Sequence, residues 1–296
     1  MTSKASLFFA YGHFYQMPQL GQTFSNADYS LLGTQQASSG HDFGTFGNPD
    51  VKPERTVQYQ FGYKQELREW LGLDVTLFYK DVRDLLGSEI ITTYNDAQYK
   101  RLTNGDFGSV IGFTLALDQR ERGIVSTSLD YTWQVAKGNA SDPYETAARV
   151  DAHEDPRPRN VVFDWDQRHT VNLTVTLAKP DNFNLSGVFR AVSGQPYTPV
   201  SEAYLIEKNS GRKPGAFLTD LRAEKLLGSP GFGLRAFWTV FNLFDMRFFN
   251  GAVFANSGSP YYSRTNTTDD QKALADPTRY YGPRRIEVGL RWEQGQ

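Results

Sequence analysis

Four histidines, His13, His41, His153 and His169, are the natural starting point for metal or acid/base chemistry. No two of them share a spacing such as i, i+4 that would place two imidazoles on one helical face, so the pattern predicts no metal site. His153 lies in the run AHEDPRPR beside Asp151, Glu154 and Asp155, and a solvated charged loop is the expected state of such a run. Asp166 and His169 have the residue types of an acid/base dyad. They open a predicted strand with no candidate nucleophile beside them, so the expectation is a structural role, with no catalytic residue and no cofactor. The glycine cluster from Gly228 to Gly233 lacks the Lys-Ser/Thr and the helix of a phosphate-binding loop and lies between two predicted strands, which makes it a hairpin turn. The Asn-x-Ser/Thr triplets at Asn139, Asn172 and Asn266 carry no further signal.

With no reaction centre in view, the elements themselves carry the information. The chain has 296 residues, 16 Tyr and 21 Phe, and 14 % aromatics, yet its mean hydropathy is polar at -0.51. Aromatic abundance in a polar chain suggests rings at a membrane interface. No apolar run approaches the roughly 18 residues of a spanning helix, but barrel strands need face lipid only at every second residue. The formal charge of -2 recruits neither nucleic acid nor an anionic surface, and the absence of cysteine fits a periplasmic or outer-membrane route. Residues 1–20 contain no secretory signal, which sets the expectation of a chain incomplete at its N-terminus.

Period-two alternation recurs from end to end. Leu71, Leu73, Val75, Leu77 and Tyr79 alternate with Gly72, Asp74, Thr76, Phe78 and Lys80; Val171, Leu173, Val175 and Leu177 alternate with Thr170, Asn172, Thr174 and Thr176; Ile286, Val288, Leu290 and Trp292 alternate with Arg285, Glu287, Gly289 and Arg291. Further strands are expected at about 5–14, 55–65, 108–118, 123–136, 183–193, 215–225 and 231–244, ten in all, each about ten residues long. Short polar turns follow the second, fourth, sixth and eighth strands, whereas long loops are expected at about 15–52, 82–106, 137–165, 194–214 and 245–282.

This rhythm predicts an all-β, antiparallel transmembrane barrel, because hydrocarbon leaves backbone N–H and C=O groups unsatisfied unless strands pair. The wet face would carry Asp74, Lys80, Asp130, Arg190, Asp220, Arg222, Glu224, Arg235, Arg285, Glu287 and Arg291. Interfacial girdles would draw on Tyr11, Phe14, Tyr15, Trp70, Tyr79, Tyr131, Trp133, Phe248, Phe249 and Trp292. A soluble β-sandwich shows similar alternation, but it seldom carries five such long loops at one end.

Several segments in order resemble the barrel of TonB-dependent outer-membrane receptors. NPDVKPE at Asn48–Glu54 is similar to the family's strand-start stretch; Asp166, Gln167, Arg168 and His169 form a DQRH strand start; Ser193–Thr198 resembles an SGxPYT loop start; and Asn242, Leu243, Phe244 and Asp245 resemble the family's Asn-Leu-Phe-Asp signature. The close from Tyr281 to Trp292 is similar to the last strand. The resemblance implies a single partial barrel domain over residues 1–296, about ten strands of a barrel of about 22, with the plug domain absent. It implies a bacterial outer-membrane protein that is not an enzyme and takes up a scarce ligand (siderophore, cobalamin, glycan or peptide) with energy from the inner membrane. The implied partners are outer-membrane lipid, the TonB complex acting through the missing plug, the barrel-assembly machinery and an unknown imported ligand. Loop residues expected to meet that ligand are Tyr94, Tyr99, Arg101, Tyr144, Arg157, Arg159, Tyr204, Tyr261 and Tyr262, since exposed rings and guanidinium groups are good recognition groups. One departure is the tail Glu293–Gln296, where the family ends on an aromatic residue read by the assembly machinery. An alternative reading is a complete ten-stranded barrel with surface hydrolase or adhesin activity.

Overall fold

The structure is a computed structural model, and it describes residues 4–26, 44–94, 98–155, 157–200, 207–228 and 233–292. In chain order its elements are β1 (Ala5–Gln16), α1 (Leu20–Thr23), β2 (Thr45–Phe46), β3 (Glu54–Arg68), β4 (Leu71–Thr92), β5 (Gln98–Arg122), β6 (Val125–Gly138), α2 (Glu145–Asp151), β7 (Val161–Val162), β8 (His169–Lys179), β9 (Phe183–Val192), β10 (Pro196–Tyr197), β11 (Gly211–Arg212), β12 (Ala216–Leu227), β13 (Leu234–Phe241), α3 (Thr268–Ala275), a 3-10 turn at Pro277–Arg279, and β14 (Arg285–Trp292). All ten predicted strands are there. They form an antiparallel meander in the order β1-β3-β4-β5-β6-β8-β9-β12-β13-β14, with β2 and β7 added at β5 and β6 and β10–β11 as a separate pair. No ladder joins β1 to β14 among the described residues, so the barrel is open. No described helix is long and apolar enough to cross a membrane.

The ladder register carries one face through all ten strands. Lys64 lies opposite Asp74, Asp74 opposite Ala116, Ala116 opposite Asp130, Asp130 opposite Asn172, and Asn172 opposite Arg190. Directly paired residues point to the same side, so these groups share a single wet wall. It continues through Arg222, Thr239 and Glu287. On the opposite side one row runs Phe9, Phe61, Leu77, Phe113 and Trp133, and another runs Tyr11, Tyr59, Tyr79 and Ile111. These apolar rows are not packed into a dry interior: Phe9 is 68 % exposed and Val288 75 %. Such a face suits hydrocarbon rather than water.

Charge on the wet wall is internally compensated. Lys64 and Asp74 meet at 2.8 Å, and Glu224 is approached by Arg222, Arg235 and Arg291 at 3.4–3.5 Å. Phenylalanines that break the alternation on this wall lie under cations: Lys64 over Phe8, Lys80 over Phe78, Arg222 over Phe237 and Arg285 over Phe241, at 4.3–5.8 Å from the ring centres. A ring face attracts a cation, so an aromatic side chain can occupy a charged wall without leaving it polar-deficient.

Two expectations are corrected. The loop expected at 82–106 is mostly strand: β4 and β5 run to 22 and 25 residues and pair out to Thr92 opposite Gln98. That is far beyond the roughly 9–11 residues of a spanning strand. Register shifts between Val82 and Leu85 and between Leu85 and Gly87, with Asp84 at φ 59°, erase the period-two signal there. Phe248 is no girdle residue, being 3 % exposed within the connection after β13, and Phe14 lies on the other side of its strand from Tyr11 and Tyr15. The outward tyrosines do form a girdle, with ring centres 5.1 Å apart for Tyr11–Tyr59 and 6.4 Å for Tyr59–Tyr79.

The four short turns all fall at one end: Arg68 pairs with Leu71, Arg122 with Val125, Lys179 with Phe183 and Leu227 with Leu234. Gly228 and Gly233, at φ 84° and 66°, flank the fourth. Every long connection therefore emerges at the opposite end.

Candidate functional site

The long connections interlock, and the DQRH segment is their anchor. Asp166 is fully buried, and its carboxylate accepts hydrogen bonds from the Ala136 amide (2.6 Å), Arg168 Nε (2.6 Å) and Arg212 (2.7 Å), while its carbonyl accepts a second bond from Arg212 (3.0 Å). Two guanidinium groups and an amide offset the cost of burying the charge. Gln167 donates to Thr170 (2.6 Å) and accepts from Asn250 (2.8 Å), 83 residues away. The His169 amide donates to Ser193 Oγ (2.9 Å), and its Nδ1 meets the Tyr131 hydroxyl (2.8 Å). Asp166 is thus committed to arginines and His169 to a tyrosine, an arrangement for holding strand ends rather than for proton transfer.

The other family motifs do similar work. In the SGxPYT segment, a Cβ on Gly194 would lie 1.6 Å from the Lys213 carbonyl oxygen, so only glycine lets the chain cross there. In Asn-Leu-Phe-Asp, Asn242 is 3 % exposed and holds φ 52°; its side chain donates to Met246 O (3.0 Å) and Gly282 O (2.9 Å) and accepts from the Met246 amide (2.8 Å). Asp245 accepts from the Arg284 amide (2.9 Å), and the Leu243 amide donates to Thr219 O (2.7 Å). Phe244 is 61 % exposed and meets Phe217 edge-on at 5.8 Å. This turn pins the start of β14.

Partners invisible to spacing complete the cap. Asn209 donates to Val162 O (2.7 Å) and Asp164 (2.5 Å), Lys208 pairs with Glu145, and Lys100 pairs with Asp151. The Ala147 amide donates to Ser88 Oγ (2.9 Å), seating α2 on β4. Arg149, 7 % exposed, donates to the carbonyls of Asp155 and Arg157. Asn209 and Asn139 are single polar residues in loops and Arg149 lies in the last turn of α2; the partners described for them lie far off in sequence or at no helical or strand spacing, so no local pattern marks them.

The expected ligand contacts fall into three groups. On the long β4–β5 hairpin, Tyr94 stands fully exposed at the tip, Tyr99 meets Phe46 edge-on at 5.8 Å, and Arg101 pairs with Glu89 at 2.8 Å. These three belong to a paired hairpin, not to the loop expected. Around α2, Tyr144 precedes the helix, Arg157 grips Asp155 at 2.6 Å, and Arg159 reaches the Asp155 carbonyl at 3.4 Å. In the connection before β14, Tyr261 stacks on Tyr280 at 6.3 Å, and Tyr261 and Tyr262 are about half exposed. Tyr204 lies outside the described residues. The first two groups are joined through Ser88 and Lys100, whereas the third is tied in through Asn250–Gln167. No group of His, Asp and Glu suited to a metal occurs among the described residues.

Asp155 and Asp106 in the cap are shifted in opposite directions. The Arg157 fork holds Asp155 down at about 2. Asp106 lies beyond the girdle, on the extended part of β5, and burial pushes it up to about 6, against the favourable bond from Asn139 Nδ2 at 2.6 Å. A raised carboxylate binds its proton in the folded state at pH values where the unfolded chain has released it. Stability is therefore full below pH about 4 and is lost as pH rises through about 6, by at most about 3 kcal/mol. Asp106→Asn should remove that slope. Urea unfolding in detergent at pH about 5 and about 8 checks it, and an unchanged slope in the variant would assign the effect elsewhere.

Against known proteins, residues 1–243 match the family model described as TonB dependent receptor-like, beta-barrel. No curated protein sequence matches the chain. Among solved structures, it is similar to the ferric enterobactin receptor PfeA of Pseudomonas aeruginosa (17 % identity, TM-score 0.61, 98 % of this chain and 38 % of that one). It is also similar to the outer membrane transporter YddB of Escherichia coli (11 %, TM-score 0.62, 97 % and 38 %) and the ferric-catecholate import receptor Fiu of Escherichia coli (14 %, TM-score 0.55, 98 % and 33 %). The chain spans about a third of the length of these structures.

Proposed function

Because this chain belongs to the TonB-dependent receptor β-barrel family, a family of outer-membrane proteins, we propose that it forms one partial barrel domain of a receptor that captures a scarce ligand at its long-connection end for energised uptake. The supporting observation is the division of labour in the sheet: a continuous wet wall leads away from an interlocked cap, while the reverse face carries continuous apolar rows between its two ends. Exposed rings and guanidinium groups on that cap, notably Tyr94, Tyr261, Tyr262 and Arg157, are the proposed contacts, with Tyr99, Arg101, Tyr144 and Arg159 behind them; Tyr204 belongs to the same proposal. Siderophores come first among the ligand classes, since two of the similar structures are named as receptors for iron chelates. Cobalamin, glycan and peptide remain the other classes of the reading. Energy would come from the inner membrane through a TonB complex acting on a plug domain, and folding would use the barrel-assembly machinery. The reading is of a transporter, with no catalytic step.

Uptake decides the matter. Cells carrying the gene should accumulate labelled ferric siderophore well above cells lacking it, and a protonophore should abolish the difference. Equal accumulation in the two strains, or uptake that survives the protonophore, would overturn the proposal.

A further inference from the structure

The outward face of β3 to β6 carries a feature that ligand capture does not use. Phe9, Phe61, Leu77, Ile111, Phe113 and Trp133 line a groove of about 360 Å³ on the apolar side of the sheet. Beyond it, toward the long-connection end, Arg55 and Arg83 lie directly opposite one another, four residues past the paired Tyr59 and Tyr79, or about 13 Å along the strands. Lys137 stands on the same face, opposite Ser109, which is itself opposite Asp81. Like charges directly opposed across a ladder destabilise a sheet. Local compensation is incomplete: Arg83 grips Asp81 at 3.0–3.1 Å, but Arg55 Nε is buried without a hydrogen-bond partner and Lys137 forms no ion pair among the described residues. Three cations thus face one carboxylate, four residues along the strands from the Tyr59, Tyr79 and Trp133 rings that line the apolar groove.

We propose that this face holds a phosphorylated lipid, its acyl chain in the groove below Tyr59 and Tyr79 and its phosphate on Arg55, Arg83 and Lys137. The anion meets the spare positive charge, and the chain covers the rings that the sheet leaves bare. A free phosphate would satisfy the cations alone; the adjoining groove assigns the ligand to lipid. This site lies on the outside of the sheet and does not depend on the uptake reading.

The test is native mass spectrometry of the full chain in dodecylmaltoside micelles doped with dioleoyl phosphatidic acid, dioleoyl phosphatidylcholine or dioleoylglycerol. One phosphatidic acid should be retained, favoured over dioleoylglycerol by about tenfold or more. Inorganic phosphate should not displace it. The double variant Arg55→Gln/Lys137→Gln should lose that preference, whereas Lys225→Gln, an outward cation at the short-turn end, should keep it. Equal retention of the three lipids, displacement by inorganic phosphate, or an undiminished preference in the double variant would overturn the site. If the double variant does not fold, the wild-type lipid comparison still decides, together with Arg55→Lys/Lys137→Arg, which should keep the preference.

Discussion

Asp166→Ala should cost the folded rim about 3–5 kcal/mol, because removing one member of a buried charge cluster leaves the others unpaired. The carboxylate ties together three elements: β6 through the Ala136 amide, the start of β8 through Arg168, and β11 through Arg212. Its loss strands a buried amide and releases two guanidinium groups into a site built around a full negative charge. Asp166→Asn should fall between wild type and alanine, since an amide oxygen can still accept from Ala136 while the charge is lost. The midpoint of urea unfolding in detergent and the rate of tryptic cleavage after Arg159 read the effect. If Asp166→Ala unfolds at the wild-type midpoint and is cut no faster, the anchor is not Asp166.

Gly194→Ala should be as damaging, for a steric reason. The added methyl carbon would lie 1.6 Å from the Lys213 carbonyl oxygen and 2.4 Å from its carbon, both backbone atoms that no rotamer change can move aside. Relief requires β10 and β11 to separate, at a cost of about 3 kcal/mol or more. Gly21→Ala is the matched control. That glycine lies in α1 with nothing within 4 Å of its Cβ position, so alanine there should be neutral or stabilising by a few tenths of a kcal/mol. Similar stability losses for the two variants would show that the close crossing at Gly194 does not constrain the rim. Loss of the crossing should also weaken ligand capture, because the Tyr197 side chain beside Gly258 links this segment to the connection before β14.

These variants act at the rim, which is also where the function is proposed to lie. The wall below should tolerate change better. Glu224 has three arginine neighbours, so loss of one ion pair leaves others in place. The cap has no such redundancy: Asn242, Asn209 and Asp166 each hold several groups at once.

The amino-acid sequence alone determined the ten strands, the wet side of those with clean alternation, and the end at which the turns are short. Those properties are written in neighbouring residues: a pleated strand turns every second side chain to the same face, so Leu71, Leu73 and Val75 declare their environment without reference to any partner. The motif residues Asp166, Gln167, Arg168, His169 and Asn242–Asp245 were legible through their resemblance to the family's strand-start and turn segments. Only the tertiary structure decided that 82–106 is a long bulged hairpin, that Phe248 is buried, and that Asn209, Arg212 and Asn250 close the cap. A bulge breaks the two-residue period, and a bond such as that between Asn250 and Gln167 joins groups 83 positions apart with nothing local to announce it. Periodic burial is a property of one segment, whereas which polar groups satisfy one another depends on how distant loops are brought together.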